Sequence, residues 1–305
     1  MLRPTFKKTV TAGFLKGLNP VPFGGAASSG VDAAIFVEEW AAVSPDFVIS
    51  MAGPLIALTP VYQVGTPEQI ERFVTPFLAD EGAPLAAMAF SEPEGSANFD
   101  ADSPGQGVRT TAVLDGNEWV INGRKAWASH LCGWDGDGPD IMTIVCRTPG
   151  GISLVVADRA HLAGKIEVEE YYDLPGLKGY LTTRVMLRDV RVPRGNLLGA
   201  QGQGVELTRN AFFPSGASIG VFAVAAMRRA FDIAYRVARS PRHAAAPSRS
   251  SSTSPLPTSS PTPRARSKPC GCCPGGRSTR ACRNTPAAQN SRSTPKSSAP
   301  QPASK

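Results

Sequence analysis

A chain of 305 residues, 42% of them hydrophobic and 19% charged, is long enough to bury a sizeable core and to divide into two or three domains. Its formal charge of +7 averages two unlike parts: residues 241–305 hold 11 Lys and Arg with no Asp or Glu, which leaves −4 over residues 1–240. The basic balance therefore describes a tail, and that tail is Ser-, Pro-, Ala- and Arg-rich with Leu256 as its one large aliphatic residue, too poor in apolar surface to offset chain entropy.

Residues 1–82 are predicted to be helical. Val31, Ile35 and Ala42 recur at helical spacing, and Thr66-Pro67-Glu68-Gln69 reads as a capping box with Pro at the first helical position, which places a helix over about residues 67–78. From Leu85 to Val192 the pattern changes to short apolar runs at 119–121, 141–146, 152–156, 166–168 and 184–187, separated by Gly, Pro, Asn and Asp, the signature of a small β domain or barrel. The acidic, glycine-rich stretch from Gly133 to Asp140 lacks the spacing of a calcium loop and reads as a solvated turn. Helix returns after Gly204, and the Ala-rich run from Ile219 to Val237 suits packing into a bundle before Ser240-Pro241 ends it. The expected fold class is thus α+β multidomain: an N-terminal helical domain (1–82), a central β-barrel domain (83–197), the start of a C-terminal helical bundle (198–240) and a disordered basic tail (241–305).

Cys132 and Cys146 fall in the globular part, whereas Cys270, Cys272, Cys273 and Cys282 crowd into the tail without the paired spacing of a zinc site, so no metal is expected. The opening MLRPTFKKTVTAGFLKG has no continuous apolar stretch of the kind a signal peptide needs, and no run reads as long enough to cross a bilayer. The expected location is the cytoplasm, with no membrane partner. Scattered tail charges without interleaved aromatics argue against nucleic acid.

Two stretches carry the chemistry. AFSEPEGSANF (89–99) puts Ser91, the Glu92-Pro93 corner and the Gly95-Ser96 step directly after an apolar run, as in a strand ending in a tight turn whose N–H groups and hydroxyl can meet a cofactor's ring edge and phosphates. GNEWVINGRKAWASH (116–130) reads as a hairpin, with Trp119-Val120-Ile121, an Asn122-Gly123 turn, and Lys125 to His130 returning. Trp127 and Ser129, two apart, are expected on one strand face, the first to pack on a flat ring and the second to hydrogen-bond its edge. A third segment, LPGLKGYLTTRVMLRDVRVPRGNLLGAQGQGVELTRN (174–210), carries Asp189-Val190-Arg191-Val192-Pro193 and then Asn196-Leu197-Leu198-Gly199.

At this order and spacing the three segments resemble the acyl-CoA dehydrogenase family over residues 1–240. The resemblance implies FAD as cofactor and an acyl-CoA or other small-molecule substrate. It implies a homo-oligomer, and a further helix or two before the present start. It places Met88, Ala89, Phe90 and Ser91 along the flavin ring, Gly95 and Ser96 near the pyrophosphate, and Trp127, Ala128 and Ser129 at the ring's other edge, with the Ser129 hydroxyl near N5. Around Glu94 this sequence is one residue shorter than the family's common form. Where some members carry an Asp, a Glu and an Arg on the first bundle helix, this chain has Phe213, Ser215 and Gly216, so no catalytic residue is assigned. Two alternatives stand beside the dehydrogenase: a flavin-dependent monooxygenase of the same fold that binds no CoA, and a non-catalytic product with a basic interaction tail.

The resemblance stops where composition breaks. Reading the tail one base earlier, the codons of Ser248 to Ser254 can spell Pro-Ile-Leu-Glu-His-Gln, similar to the family's next bundle helix, and later codons restore helical apolar spacing. Some outcomes are forced, since Cys272-Cys273 yields only Leu and Gln289-Asn290 only Glu or Lys. A shifted reading frame after about Ser240 is the expected origin of the tail.

Overall fold

The structure is a computed structural model that describes residues 3–94, 96–101, 106–179 and 181–240; Gly95 and the tail 241–305 lie outside the described residues. Helices come first: α1 (Arg3–Thr11), α2 (Phe14–Leu18), α3 (Gly30–Ala41), α4 (Pro45–Val64) and α5 (Pro67–Val74). The Ser29 hydroxyl caps α3 by accepting from the Asp32 N–H at 3.1 Å. The capping box of α5 is present in both directions, Gln69 N–H to Thr66 Oγ1 at 3.2 Å and Thr66 N–H to Gln69 Oε1 at 2.9 Å. Gln69 does more than cap, because its Nε2 donates to the carbonyls of Gly195 (2.7 Å) and Leu197 (2.9 Å) and so ties α5 to the end of the strand region. The helix ends at Val74 in a 3₁₀ turn over Thr75–Phe77, where Pro76 supplies no N–H to continue it.

The strands are β1 (Ala86–Ala89), β2 (Thr111–Asp115), β3 (Glu118–Ser129), β4 (Ile141–Thr148), β5 (Gly151–Asp158), β6 (Ile166–Tyr171), β7 (Thr182–Pro193) and β8 (Leu197–Leu198), with the short α6 (Arg159–Leu162) after β5. They form one sheet in the order β6-β7-β3-β2-β4-β5-β8, and β1 lies parallel to β4 with Ala86 opposite Ile141. The central sheet is open and not the closed barrel expected from sequence: among the described residues β6 pairs with β7 alone, and β8, two residues long, offers it no ladder for closure.

The Asn122-Gly123 hairpin is also corrected. β3 runs through that dipeptide, and the turn sits earlier, at Gly116-Asn117 between the paired Asp115 and Glu118, with Gly116 at φ 61°. Gly123 instead marks a bulge against β7, where a Cβ would stand 2.4 Å from Thr110 Oγ1, so only glycine lets the strand pass. Asn122 clamps β7 at the same point: its Nδ2 donates to Asp189 Oδ1 at 3.0 Å and its Oδ1 accepts from Asp189 N–H at 2.9 Å.

Around β4 and β5 the sheet is buried on both faces. Met88, Val145, Leu154 and Val156 meet Phe6, Met51, Leu58 and Phe77 of the helical layer, while Ala87, Ile144, Val155, Trp119, Ile121, Val185 and Leu187 form a second core on the opposite face. Successive residues of β5 alternate between the two, as a period of two requires.

α7 (Gly204–Ala238) is a single 35-residue helix. Leu207 and Phe212 join the first core; further along, Val221, Phe222 and Ala225 pack with Val37, Ala41 and Val48, and Arg228 Nη1 meets Glu38 and Glu39 at 2.8 Å. The expectation that no run could cross a bilayer needs amending, since α4 and α7 both reach that length and apolar content. α4 owes its character to burial, being packed against β1, α3 and α7.

Candidate functional site

The two motif segments meet at the ends of β1 and β3. Beyond Ala89 the chain turns, and the Ser91 carbonyl accepts the Ala126 N–H at 2.9 Å, which joins the two segments directly. Below that bond lies a buried charge cluster. Lys125, wholly buried, donates from Nζ to Glu92 Oε1 (2.8 Å), the Val145 carbonyl (2.7 Å) and the Phe90 carbonyl (3.2 Å). Glu92 also accepts from Thr110 Oγ1 (2.7 Å), Thr110 N–H (3.0 Å) and Arg109 N–H (2.7 Å). Burial raises the Glu92 carboxyl's pKa, but the Lys125 charge and these donors outweigh it and hold the group below its ordinary range. Burial likewise pulls Lys125 down against the opposing pull of Glu92. Three donors and a carboxylate are all used, so the pair is internally satisfied.

The far end of β3 departs from the ladder. Its register against β7 shifts between Ala126 and Ser129, and Trp127 and His130 adopt φ of 62° and 66°, left-handed values that cost L-residues about 1–2 kcal/mol each. Trp127 and Ser129 therefore do not share a face by simple alternation. The bulge turns the Trp127 indole outward, 50% exposed, with the Tyr172 ring 6.5 Å away; Ala128 and Ser129 are half-buried beside it. Phe90 and Ser91 are half-buried too, Phe90 packing on Phe99 (5.0 Å) and on Phe212 of α7 (5.1 Å). Met88 and Ala89 commit their side chains to the two cores. Ser96 Oγ is buried with no hydrogen-bond partner among the described residues.

These features suit a flavin. An outward indole offers an apolar plane, the Ser91 and Ser129 hydroxyls offer donors for a heteroaromatic edge, and an unpaired buried hydroxyl beside the turn suits a phosphate oxygen. The bundle-helix positions offer nothing comparable: Phe213 is 88% exposed, Ser215 Oγ donates to the Phe212 carbonyl at 2.7 Å, and Gly216 faces open space.

Sequence reasoning missed Lys125, Thr110 and His130. Lys125 had no signal in the sequence, since a lysine on a strand is ordinarily solvated and its burial, like that of Ala126 beside it, emerges only in the fold. His130 had none, because its burial under α4, with its Cδ2 3.6 Å from where a Gly53 Cβ would lie, is tertiary. That burial pushes its pKa down to about 4, against a weaker opposing hydrogen bond with the Ser50 backbone.

The fold is thus a layer of helices, a sheet that brings the two motif segments together at one end, and a long helix packed on both. The family model for the acyl-CoA dehydrogenase N-terminal domain matches residues 1–81. Among curated proteins the chain is 37% identical over 252 residues to the nitroalkane oxidase of Podospora anserina and 35% identical over 259 residues to that of Fusarium oxysporum, each match covering 78% of this chain and 58% of the relative. It is 35% identical over 221 residues to cyclohexane-1-carbonyl-CoA dehydrogenase of Geobacter metallireducens, covering 70% of this chain and 53% of that protein. The solved structure of the Podospora anserina nitroalkane oxidase superposes with a TM-score of 0.74 at 36% identity, over 80% of this chain and 61% of that one. The chain belongs to the acyl-CoA dehydrogenase family, whose members are FAD flavoproteins, and it spans somewhat over half the length of the curated relatives it matches.

Proposed function

We propose that this chain is the greater part of an FAD-dependent oxidoreductase acting on a small carbon acid, with Phe90, Ser91, Ser96, Trp127, Ala128 and Ser129 facing the cofactor, Met88 and Ala89 contributing backbone, and Gly95, which lies outside the described residues, assigned to the pyrophosphate on the family resemblance alone. The observation that carries the reading is the outward, left-handed Trp127 beside the joined Ser91–Ala126 backbone, a plane and a polar edge set side by side. Bound FAD supplies hydride acceptance; this chain's residues hold its ring and exclude water from one side of it. The division into 1–82, 83–197 and 198–240, the cytoplasmic location and the homo-oligomer belong to the same proposal.

Two substrate classes compete. Acyl-CoA thioester dehydrogenation is the reading of the family name, and the cyclohexane-1-carbonyl-CoA dehydrogenase resemblance supports it. The positions that hold CoA in some members are Phe213 and Gly216 here, neither able to make the charged contacts of an Asp and an Arg, Ser215 stands where some members place a catalytic Glu, and the nitroalkane oxidases match more of this chain at similar or higher identity. A nitroalkane-like substrate, with no CoA, is the better supported. We further propose that the tail arises from a shifted frame after about Ser240, on the coincidence of the charge break, the apolar break and the recovered helical pattern. The test is to sequence the coding DNA around Ser240, express the frame-corrected protein and assay it with 1-nitroalkanes and with acyl-CoA thioesters. Oxidation of nitroalkanes without retention on immobilised CoA is the expected result; turnover of a thioester alone reverses the substrate assignment, and an intact frame in the DNA removes the frameshift.

A further inference from the structure

The Lys125–Glu92 pair lies outside the set of residues facing the cofactor, yet it touches every segment that brings them together. Glu92 belongs to the turn after β1, Thr110 and Arg109 lead into β2, Lys125 sits in β3 and the Val145 carbonyl in β4. The residue before Glu92 accepts the N–H of the residue after Lys125, the Ser91–Ala126 bond. Fixing the pair therefore fixes the spacing between the Phe90-Ser91 backbone and the strand end that bears Trp127, Ala128 and Ser129. Neither side chain has room for another partner, since both are almost wholly buried and Nζ already makes three hydrogen bonds.

We propose that Lys125 and Glu92 are positioning residues that set the register between the two cofactor-bearing segments, so that flavin affinity depends on them beyond what fold stability requires. A buried ion pair is weak evidence for stability by itself, because removing both charges together often leaves a protein as stable as before, whereas removing one strands the other. That asymmetry separates positioning from mere support. The inference rests on the flavin reading above.

The experiment compares the parent chain with Lys125→Met and with Lys125→Met/Glu92→Gln, the second keeping an acceptor for Thr110. Thermal melts, amide hydrogen exchange and FAD titration followed by tryptophan quenching are read on each. The double variant is expected to fold and to melt above Lys125→Met, though below the parent because the Val145 and Phe90 carbonyls lose their donor, to exchange the Ala126, Arg109 and Thr110 amides at least tenfold faster with the β4–β5 ladder unchanged, and to bind FAD at least tenfold more weakly. Unchanged exchange at those three amides, or unchanged FAD affinity in a folded double variant, overturns the proposal. If neither variant folds, parent exchange decides: those amides protected as well as the β4–β5 ladder support the pair's role, and early exchange overturns it. A parent that binds no FAD defeats the flavin reading instead, and the exchange arm still settles whether the pair sets the register.

Discussion

The sheet and the long helix α7 handle apolar side chains in opposite ways. In β4 and β5 almost every residue is buried, alternately on the helical layer and on the second core, so the strands find their partners within residues 1–240. In α7 only Gly204, Leu207, Thr208, Ala211 and Ala225 are buried, while Phe213, Ile219, Met227 and Phe231 are each more than 60% exposed. Both regions are strongly apolar, so composition does not distinguish them. What differs is where the complementary surface lies: a sheet two-sided in its own fold is complete, whereas a helix with one stripe on α3 and a second apolar stripe through Val224, Met227, Phe231 and Tyr235 is half of a packing unit.

The comparison breaks first at the sheet's largest core residue. Trp119 is 1% exposed, and its indole N–H donates to the Arg194 carbonyl at 3.2 Å. Trp119→Ala should destabilise the chain by about 3–5 kcal/mol, through lost burial, a cavity and a stranded carbonyl. Urea unfolding of the variant checks this, and a loss under about 1 kcal/mol would show that the second core is not the close-packed interior described.

His130 gives the next largest effect. Its folded pKa, about 4, lies below the ordinary 6.5, so the unfolded chain takes up the proton first as pH falls. The stability contributed by neutral His130 is full above about pH 6.5 and declines towards pH 4, by roughly 3 kcal/mol in all at about 1.4 kcal/mol per unit. His130→Asn, which tolerates the left-handed backbone, should flatten that slope in stability measured from pH 7 to pH 4. A parent curve already flat over that range would mean that the imidazole is hydrated.

These sites also show how far the sequence could be read. The capping box of α5 and the apolar runs of β4 to β7 were legible because their signals are local: a hydroxyl three residues before an amide, or a short apolar run bounded by turn residues. Asn122-Gly123 misled because the same dipeptide that favours a tight turn also suits a bulge, and the choice was made by Thr110, close in space through β2–β3 pairing but 13 positions away from Gly123 in sequence. Barrel closure depended on the length of β8, and no pattern announces a two-residue strand. Of the site, the hydroxyl and Trp positions could be named, but the left-handed turn that aims Trp127 outward could not, since Trp has no propensity for it.

The cap itself tests the legible part. Thr66→Ala removes the acceptor for the Gln69 N–H and should cost about 1 kcal/mol. Gln69→Ala should cost more, because Gln69 also holds the Gly195 and Leu197 carbonyls, which bridges the helical layer to the strand end. Equal losses in thermal melts would mean that the bridge adds nothing to the cap.

The smallest expected effect is the most telling for α7. Met227 is 64% exposed, so Met227→Gln, which preserves helix propensity, should change the stability of the monomeric chain by no more than about 0.5 kcal/mol. The Val224–Tyr235 stripe would then be a surface waiting for cover that the described residues do not supply, and the variant should also stay soluble at higher concentration than the parent. Should the same substitution cost about 2 kcal/mol or more, with the loss growing as the protein is concentrated, the stripe is already buried against another copy. In that case the contrast between sheet and helix is one of assembly: the sheet completes its core within one chain, and α7 completes its core between chains.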